Sequence, residues 1–208
     1  MNTRLLTLPL MWLVLLAVPT LCARSQTVVT FDEFAGSSNG TLIPNGYQGL
    51  NWSNFAIGNG ILLSNLSGYA NGYYYGMVSD SNVAVNAGGT PAEIDSPGTN
   101  FNLLSAYLTG AWNSNLNIEV EGFNGAQEIY DTIVVASATN PTLFTFGYLD
   151  IDRLYFNSYG GEPAFGGSAR SNFAMDNFEF EFVPEPSPLL LTALGAVSLA
   201  AFLRRRRA

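Results

Sequence analysis

The most restrictive feature of this chain is a strict two-residue alternation of apolar and polar side chains near its C-terminal end. Phe178, Phe180 and Phe182 occupy every second position, with polar residues between them. Successive side chains of a β-strand point to opposite faces, so this segment predicts a strand with one face in a core and one in water. Residues 116–123 repeat the pattern, and the Asn-Gly step that follows them is typical of a hairpin turn.

Further short runs of this kind recur along the chain, separated by Gly, Asn, Ser and Pro, and no segment between the two ends has a long helical period. We expect an all-β domain, a jelly-roll-like sandwich of two sheets; an open barrel is the alternative. The predicted strands cover residues 27–34, 50–57, 73–78, 82–86, 101–108, 116–123, 129–136, 143–146, 153–157 and 173–182.

The N-terminal segment is typical of a secretory signal peptide. Arg4 precedes an apolar run of about 14 residues, roughly 21 Å as a helix, which is short for a membrane span. Small residues at Ala23 and Ser25 suit a signal peptidase, and we expect cleavage after one of them. Lipidation of Cys22 is the alternative, although the preceding Leu21 stands where a small residue is expected. Residues 1–25 are therefore predicted to be a signal peptide.

The C-terminal segment combines a proline-rich step, an apolar run and a basic tail. Pro184, Glu185 and Pro186 precede an apolar run of about 15 residues, predicted to be a single transmembrane helix. Four consecutive arginines follow this run, before the final Ala208, and such a cluster is held at the cytoplasmic face of a membrane. They are Arg204, Arg205, Arg206 and Arg207.

This order of features resembles the PEP-CTERM sorting signal of Gram-negative bacteria. The resemblance covers about the last 25 residues. It implies recognition by an exosortase, a membrane-embedded transpeptidase-like enzyme, in a host that makes exopolysaccharide. It also implies membrane attachment through the C-terminal helix before processing, and a location in the cell envelope, at the cell surface or in the extracellular matrix. An ordinary C-terminal anchor would leave the Pro-Glu-Pro step unexplained.

Between these ends, residues 26–183 form one predicted acidic domain. Fifteen acidic residues against two arginines, Arg153 and Arg170, give it a formal charge of −13. Such a surface repels phosphate backbones, so nucleic acid is not an expected partner. The domain has no histidine, lysine or cysteine, which excludes imidazole bases, Schiff-base lysines, thiol nucleophiles and Cys/His zinc sites. Only carboxylate chemistry, with or without a hard metal ion, remains available for catalysis.

Two segments of the domain resemble a second group of proteins. Residues 43–55, with the sequence IPNGYQGLNWSNF, and residues 173–178, FAMDNF, are similar to segments of uncharacterised secreted proteins of bacteria and fungi. The resemblance spans most of the domain. It implies a sandwich like that of carbohydrate-binding modules and brings no established activity.

Acidic residues on the first and last predicted strands suggest a structural calcium site. Chain termini often lie close together, and calcium prefers carboxylate and amide oxygens. In galactose-binding-like jelly rolls, an early acidic residue and a late aspartate share such an ion, and this sequence looks similar. The candidate ligands are Asp32, Glu33, Asp176 and Asn177. The competing interpretation is that these acids cover a solvated face.

A second acidic pair, Asp150 and Asp152, would share a strand face and could bind one cation. A glycosidase would instead need two carboxylates facing each other across a cleft, a distance that the sequence does not show. We therefore predict no catalytic residue, and a solvated face is the preferred interpretation of this pair.

Aromatic residues flanked by Asn and Gly suggest a glycan-binding surface, because sugar rings stack on Trp and Tyr while amides bind hydroxyl groups. Core packing must account for several of them. In a strand over 73–78, Tyr74 would point away from its two neighbours. The predicted carbohydrate-binding residues are Trp52, Tyr74 and Trp112. The other members of the aromatic set are Tyr47, Tyr69, Tyr73, Tyr75 and Tyr159.

Together these features predict a non-enzymatic exported surface or matrix protein, sorted at its C-terminus, whose β-sandwich binds extracellular polysaccharide. The alternatives are a carboxylate-dependent glycan hydrolase or lyase, and a structural adhesin that acts through protein contacts. Residues 184–208 form the predicted sorting segment.

Overall fold

The computed structural model describes residues 25–34, 40–184, 192, 195–196, 198 and 202–206. The predicted signal peptide, apart from its last residue, and most of the predicted sorting segment lie outside these residues. Within the described residues, no helix combines the length and the apolar character that crossing a bilayer requires. The elements are β1 (Gln26–Val29), β2 (Thr41–Leu42), β3 (Asn51–Ser53), β4 (Phe55–Asn59), α1 (Gly60–Ser67), α2 (Gly72–Tyr75), β5 (Asn82–Asn86), β6 (Ala92–Asp95), β7 (Phe101–Gly110), β8 (Asn113–Ser114), β9 (Leu116–Asn124), β10 (Gln127–Ala136), β11 (Thr142–Ile151), β12 (Arg153–Tyr159), β13 (Glu162–Pro163) and β14 (Phe173–Phe182).

In the described part of the chain, the strands form one sheet of seven strands, one of five and a small ribbon of β8 with β13. The larger sheet has the order β11-β7-β14-β5-β4-β2, and β1 also pairs with β14. The smaller sheet has the order β10-β9-β12-β6-β3. All neighbouring strands are antiparallel. The predicted all-β, two-sheet architecture is confirmed, and the first and last strands are neighbours.

The apolar faces of the two sheets pack against each other to form the core. Phe178 and Phe180 of β14 are fully buried, as the alternation predicts. Aromatic rings meet edge to face across the interface, a favourable geometry for aromatic pairs. Trp52 of β3 lies 5.7 Å from Phe178, and Phe156 of β12 lies 5.6 Å from Phe55 of β4.

The predicted single strand over residues 50–57 is wrong, because this segment contains two strands that belong to different sheets. β3 lies in the smaller sheet and β4 in the larger one. The chain changes sheet at Asn54, whose φ of 58° lies in the left-handed region that asparagine tolerates. The Asn54 amide donates to the carbonyl oxygens of Ala87 and Pro91, which fixes the crossing.

The predicted strand over residues 73–78 is also wrong, because its first half belongs to α2, the second of two short helices between β4 and β5. The Asn59 side chain accepts a hydrogen bond from Leu62 N–H at the start of α1, and Gly68, at a φ of 77°, ends the helix. α1 has eight residues, which is too short to show a repeating helical period. α2 is a single turn that consists of the four residues of the Gly-Tyr-Tyr-Tyr run.

Candidate functional site

A group of aromatic side chains forms a partly exposed surface around α2. We refer to Tyr69, Tyr74, Tyr75, Trp112 and Phe165 as the aromatic platform. The Phe165 ring is stacked on Tyr75, with centroids 6.4 Å apart, and lies 5.8 Å from Tyr69. Tyr74 meets Tyr75 edge to face at 5.6 Å, and Tyr69 and Tyr74 are each 42% exposed. Trp112 is joined to the Phe165 segment by a backbone hydrogen bond. The Trp112 carbonyl oxygen accepts from the N–H of Ala164, the residue before Phe165, at 2.9 Å.

The fully buried side chain of Asn71 holds α2 in place. Its oxygen accepts hydrogen bonds from the backbone N–H groups of Tyr73 and Tyr74, at 3.1 and 3.4 Å. Its amide donates to the Leu63 carbonyl at 3.3 Å and to the Ser67 hydroxyl at 2.9 Å. One asparagine thus caps α2 and joins it to α1, which fixes the direction in which the tyrosines project.

Close backbone contact places α2 directly against strand β7. The Gly72 N–H donates to the Ala111 carbonyl at 2.9 Å. A methyl group added at Gly72 would lie 1.9 Å from the Gly110 carbonyl oxygen, which is backbone and has no room to move. Only glycine therefore permits this approach.

Trp112 connects the platform to a cation. The Arg170 guanidinium carbon lies 5.1 Å from the Trp112 ring centroid, a cation–π distance. The other neighbour of Trp112 is Tyr73, which meets it edge to face at 5.6 Å. Burial raises the pKa of Tyr73 to about 12, although a hydrogen bond with Trp112 and the charge of Arg170 oppose this shift. Tyr73 is therefore a neutral packing residue at physiological pH.

Of the three predicted carbohydrate-binding residues, Trp52 does not offer a stacking face. It is only 3% exposed, because its ring packs in the core against Phe31, Phe55 and Phe178. Its indole N–H donates to the Tyr47 carbonyl at 3.1 Å. The apolar neighbours and the internal hydrogen bond make Trp52 a core residue, and its predicted role at the surface is wrong.

The structure brings the other two predicted residues, Tyr74 and Trp112, into the aromatic platform. Tyr74 is exposed, as expected. The reason differs from the predicted one, because Tyr74 lies on helix α2 and not on a strand. Trp112 is half-buried between Tyr73 and Arg170.

The sequence interpretation missed Phe165 and Arg170, which lie in the long connection between β13 and β14. A usable signal was present, because Phe165 interrupts a glycine-rich segment and Arg170 is one of only two bases in residues 26–183.

Asp176, one of the predicted calcium ligands, is fully buried and already satisfied by protein donors. One carboxylate oxygen accepts from the N–H groups of Val78 and Ser79, at 2.7 and 2.9 Å. The other accepts from the Ser79 hydroxyl at 2.9 Å and from Asn177 N–H at 2.7 Å. Burial raises the pKa of Asp176 despite these bonds. The carboxylate thus fastens the 78–79 segment to β14.

Asp32 also binds the loop that joins α2 to β5. Its carboxylate oxygens accept hydrogen bonds from Asp80 N–H and Asn82 N–H, each at 3.2 Å. Glu33 is exposed and accepts from the Gln48 amide at 3.0 Å. Among the described residues, no three His, Cys, Asp or Glu side chains are grouped as a metal site would require. Asp32, Glu33 and Asp176 each accept hydrogen bonds from protein donors, and calcium binding by these residues with Asn177 stays a prediction.

Asp150 and Asp152 do not share a strand face. Asp150 has a φ of 58°, which breaks the alternation at the end of β11. Its side chain accepts from the Asn100 amide at 2.9 Å, whereas Asp152 accepts from Gly125 N–H at 2.7 Å. Both aspartates also contact the turn between β9 and β10, because the Asn124 amide donates to the Asp150 carbonyl oxygen at 2.7 Å.

The outer face of the smaller sheet carries a second notable feature, a group of carboxylates. Glu121 of β9 lies directly opposite Asp131 of β10 and beside Tyr155 of β12. Burial, followed by the charges of Glu128, Glu119 and Asp131, raises the pKa of Glu121. These like charges destabilise the sheet locally.

Comparisons with known proteins find no matching family model and no matching curated protein. Matches among solved structures include TmCBM61 in complex with β-1,4-galactotriose, with 11% identity and a TM-score of 0.37. The match covers 72% of this chain and all of TmCBM61. A DUF4465 family protein from Bacteroides ovatus matches with 11% identity and a TM-score of 0.45, over 76% of this chain and 88% of its own. Neither similarity bears on what this chain binds.

Proposed function

We propose that this protein is exported, sorted to the cell envelope, and binds extracellular polysaccharide through the aromatic platform. The observation that carries the proposal is the exposure of several aromatic rings on a well-fixed support. Tyr69 and Tyr74 are each 42% exposed, although burial of such side chains would be favourable. Apolar ring faces beside hydroxyl groups suit a sugar, whose C–H face stacks while its hydroxyls form hydrogen bonds.

The contacts that hold α2 in place favour a role of the aromatic platform in binding. The buried Asn71 amide and the contact of Gly72 with Gly110 fix α2 before any ligand arrives. A pre-organised surface loses less conformational entropy on binding, which favours affinity.

The export and sorting part of the proposal rests on the two ends of the sequence. The signal-peptide pattern, the Pro184-Glu185-Pro186 step and the four C-terminal arginines together suit export followed by processing by an exosortase-type enzyme. The acidic β-sandwich would then remain at the surface, in contact with exopolysaccharide.

Affinity electrophoresis of the full-length chain through gels that contain the host polysaccharide tests the binding function. We expect the wild-type protein to be retarded. Tyr74→Ala and Phe165→Ala should each weaken binding about tenfold, because each removes a stacking surface of about 1–2 kcal/mol.

Tyr159→Ala is the matched control, because Tyr159 is 41% exposed on β12 and lies outside the platform. Equal losses in Tyr159→Ala and Tyr74→Ala would contradict the proposed site, and a wild-type chain that is not retarded would contradict glycan binding. Release of reducing ends during the assay would instead show a glycan hydrolase.

A further inference from the structure

The two bases of the acidic domain, Arg153 and Arg170, have different surroundings. Arg153 forms an ion pair with Glu93, at 3.8 Å, and lies over the Phe123 ring. Arg170 is exposed and forms no ion pair with any other described residue. In a domain with fifteen acidic residues, this leaves one positive charge without an ion pair among the described residues, and it lies over Trp112 of the aromatic platform.

Arg170 is positioned as a ligand-binding group would be. Its backbone N–H donates to the Asn113 side chain at 3.1 Å, and its guanidinium lies over the Trp112 ring at 5.1 Å. Stacking on an aromatic ring orders the planar guanidinium while its N–H groups stay free to donate, and this fork matches the two oxygens of a carboxylate. The charge also acts locally, since it opposes the rise in the pKa of Tyr73.

We propose that the platform binds a glycan that contains uronic acid, whose sugar rings stack on exposed ring faces of the platform while a uronate carboxylate pairs with Arg170. This inference rests on the proposed glycan-binding function and specifies its substrate class. The strongly negative domain repels an anionic chain wherever no cation compensates, so Arg170 determines where such a chain can bind. A neutral glycan could accept hydrogen bonds from Arg170 through its hydroxyl oxygens but would gain no charge pairing.

The test compares the full-length chain on polygalacturonate and on alginate, each before and after chemical reduction of its carboxyl groups to alcohols. The backbone of each polymer is unchanged, so only the charge differs. We expect wild-type binding to at least one native polymer and a loss of about tenfold or more on its reduced form. Arg170→Gln should abolish this difference, because glutamine keeps a planar group over Trp112 without the charge. Arg170→Lys should retain part of it, and Arg153→Gln should retain all of it.

The outcomes separate the two proposals. Equal binding to native and reduced polymers, unchanged in Arg170→Gln, would overturn the uronate assignment and leave glycan binding in place. Binding to neither form of either polymer, together with no retardation by the host polysaccharide, would overturn both. A lower melting temperature in Arg170→Gln, with the native-to-reduced ratio unchanged, would show that Arg170 only supports Trp112.

Discussion

Substitution of Asn71 by alanine should destabilise the protein and weaken glycan binding without touching a platform ring. The cap on α2 contributes about 1–2 kcal/mol, because the buried Tyr73 N–H would lose its acceptor. The two hydrogen bonds donated to Leu63 and Ser67 add up to about 1 kcal/mol. The expected loss is therefore about 2–3 kcal/mol in the free energy of unfolding. That corresponds to a fall of about 4–12 °C in melting temperature for a domain of this size.

Urea unfolding, followed by fluorescence, measures the loss, and affinity electrophoresis measures the binding at a temperature where the variant remains folded. Asn71→Ser keeps an acceptor for the start of α2 and lacks the amide donors, so it should lose about 1 kcal/mol. Its glycan affinity should lie close to that of the wild type. A loss below about 0.5 kcal/mol in Asn71→Ala, or full affinity in that variant, would refute the claim that this side chain fixes the platform.

Three further predictions concern the framework. Trp52→Ala should lower the free energy of unfolding by about 3–5 kcal/mol, as other large-to-small changes in a core do. A loss below about 1 kcal/mol in urea unfolding would contradict the assignment of Trp52 to the core. Gly72→Ala should lower the melting temperature more than Gly98→Ala, where an added methyl meets nothing within 4 Å; equal values would contradict the close contact of α2 with β7. Glu121→Gln should stabilise the protein at pH 7 by about 0.2–1 kcal/mol, because it relieves repulsion from Asp131. Because the pKa of Glu121 is raised above 4.5 in the folded state, protonation of this carboxyl group stabilises the fold. This stabilisation is complete below pH 4.5 and is lost as the pH rises through the folded-state pKa. Thermal melts from pH 4 to 7 should show this loss in the wild type and a smaller one in Glu121→Gln, and parallel profiles would argue against it.

Strands with strict alternation could be predicted from the sequence, because their pattern is a direct consequence of one buried and one solvated face. The bounds predicted for β14 agree with the structure. Those predicted for β5 also agree, although all five of its residues are buried. The switch at Asn54 could not be predicted in this way, because it depends on carbonyl partners that lie more than 30 residues away along the chain.

The candidate site was only partly predictable for a related reason. Tyr74 and Trp112 stood out by residue type, but the assembly of the platform depends on Asn71, Gly72 and Phe165, whose contacts are tertiary. Trp52 has similar neighbours in sequence to those of Trp112, namely asparagine, and yet it is buried. Local sequence cannot separate a core tryptophan from a surface one when both lie beside polar residues.

The central claim, that the aromatic platform is the glycan-binding surface, is tested most directly by NMR mapping of the full-length chain. Oligosaccharides prepared from the host polysaccharide would be titrated into ¹⁵N-labelled protein. The account predicts saturable shifts at the backbone amides of residues 69–75, 112 and 164–170, with the rest of the sandwich unchanged. Shifts centred on the carboxylate face around Glu121 and Tyr155, or none at any oligosaccharide concentration, would contradict it.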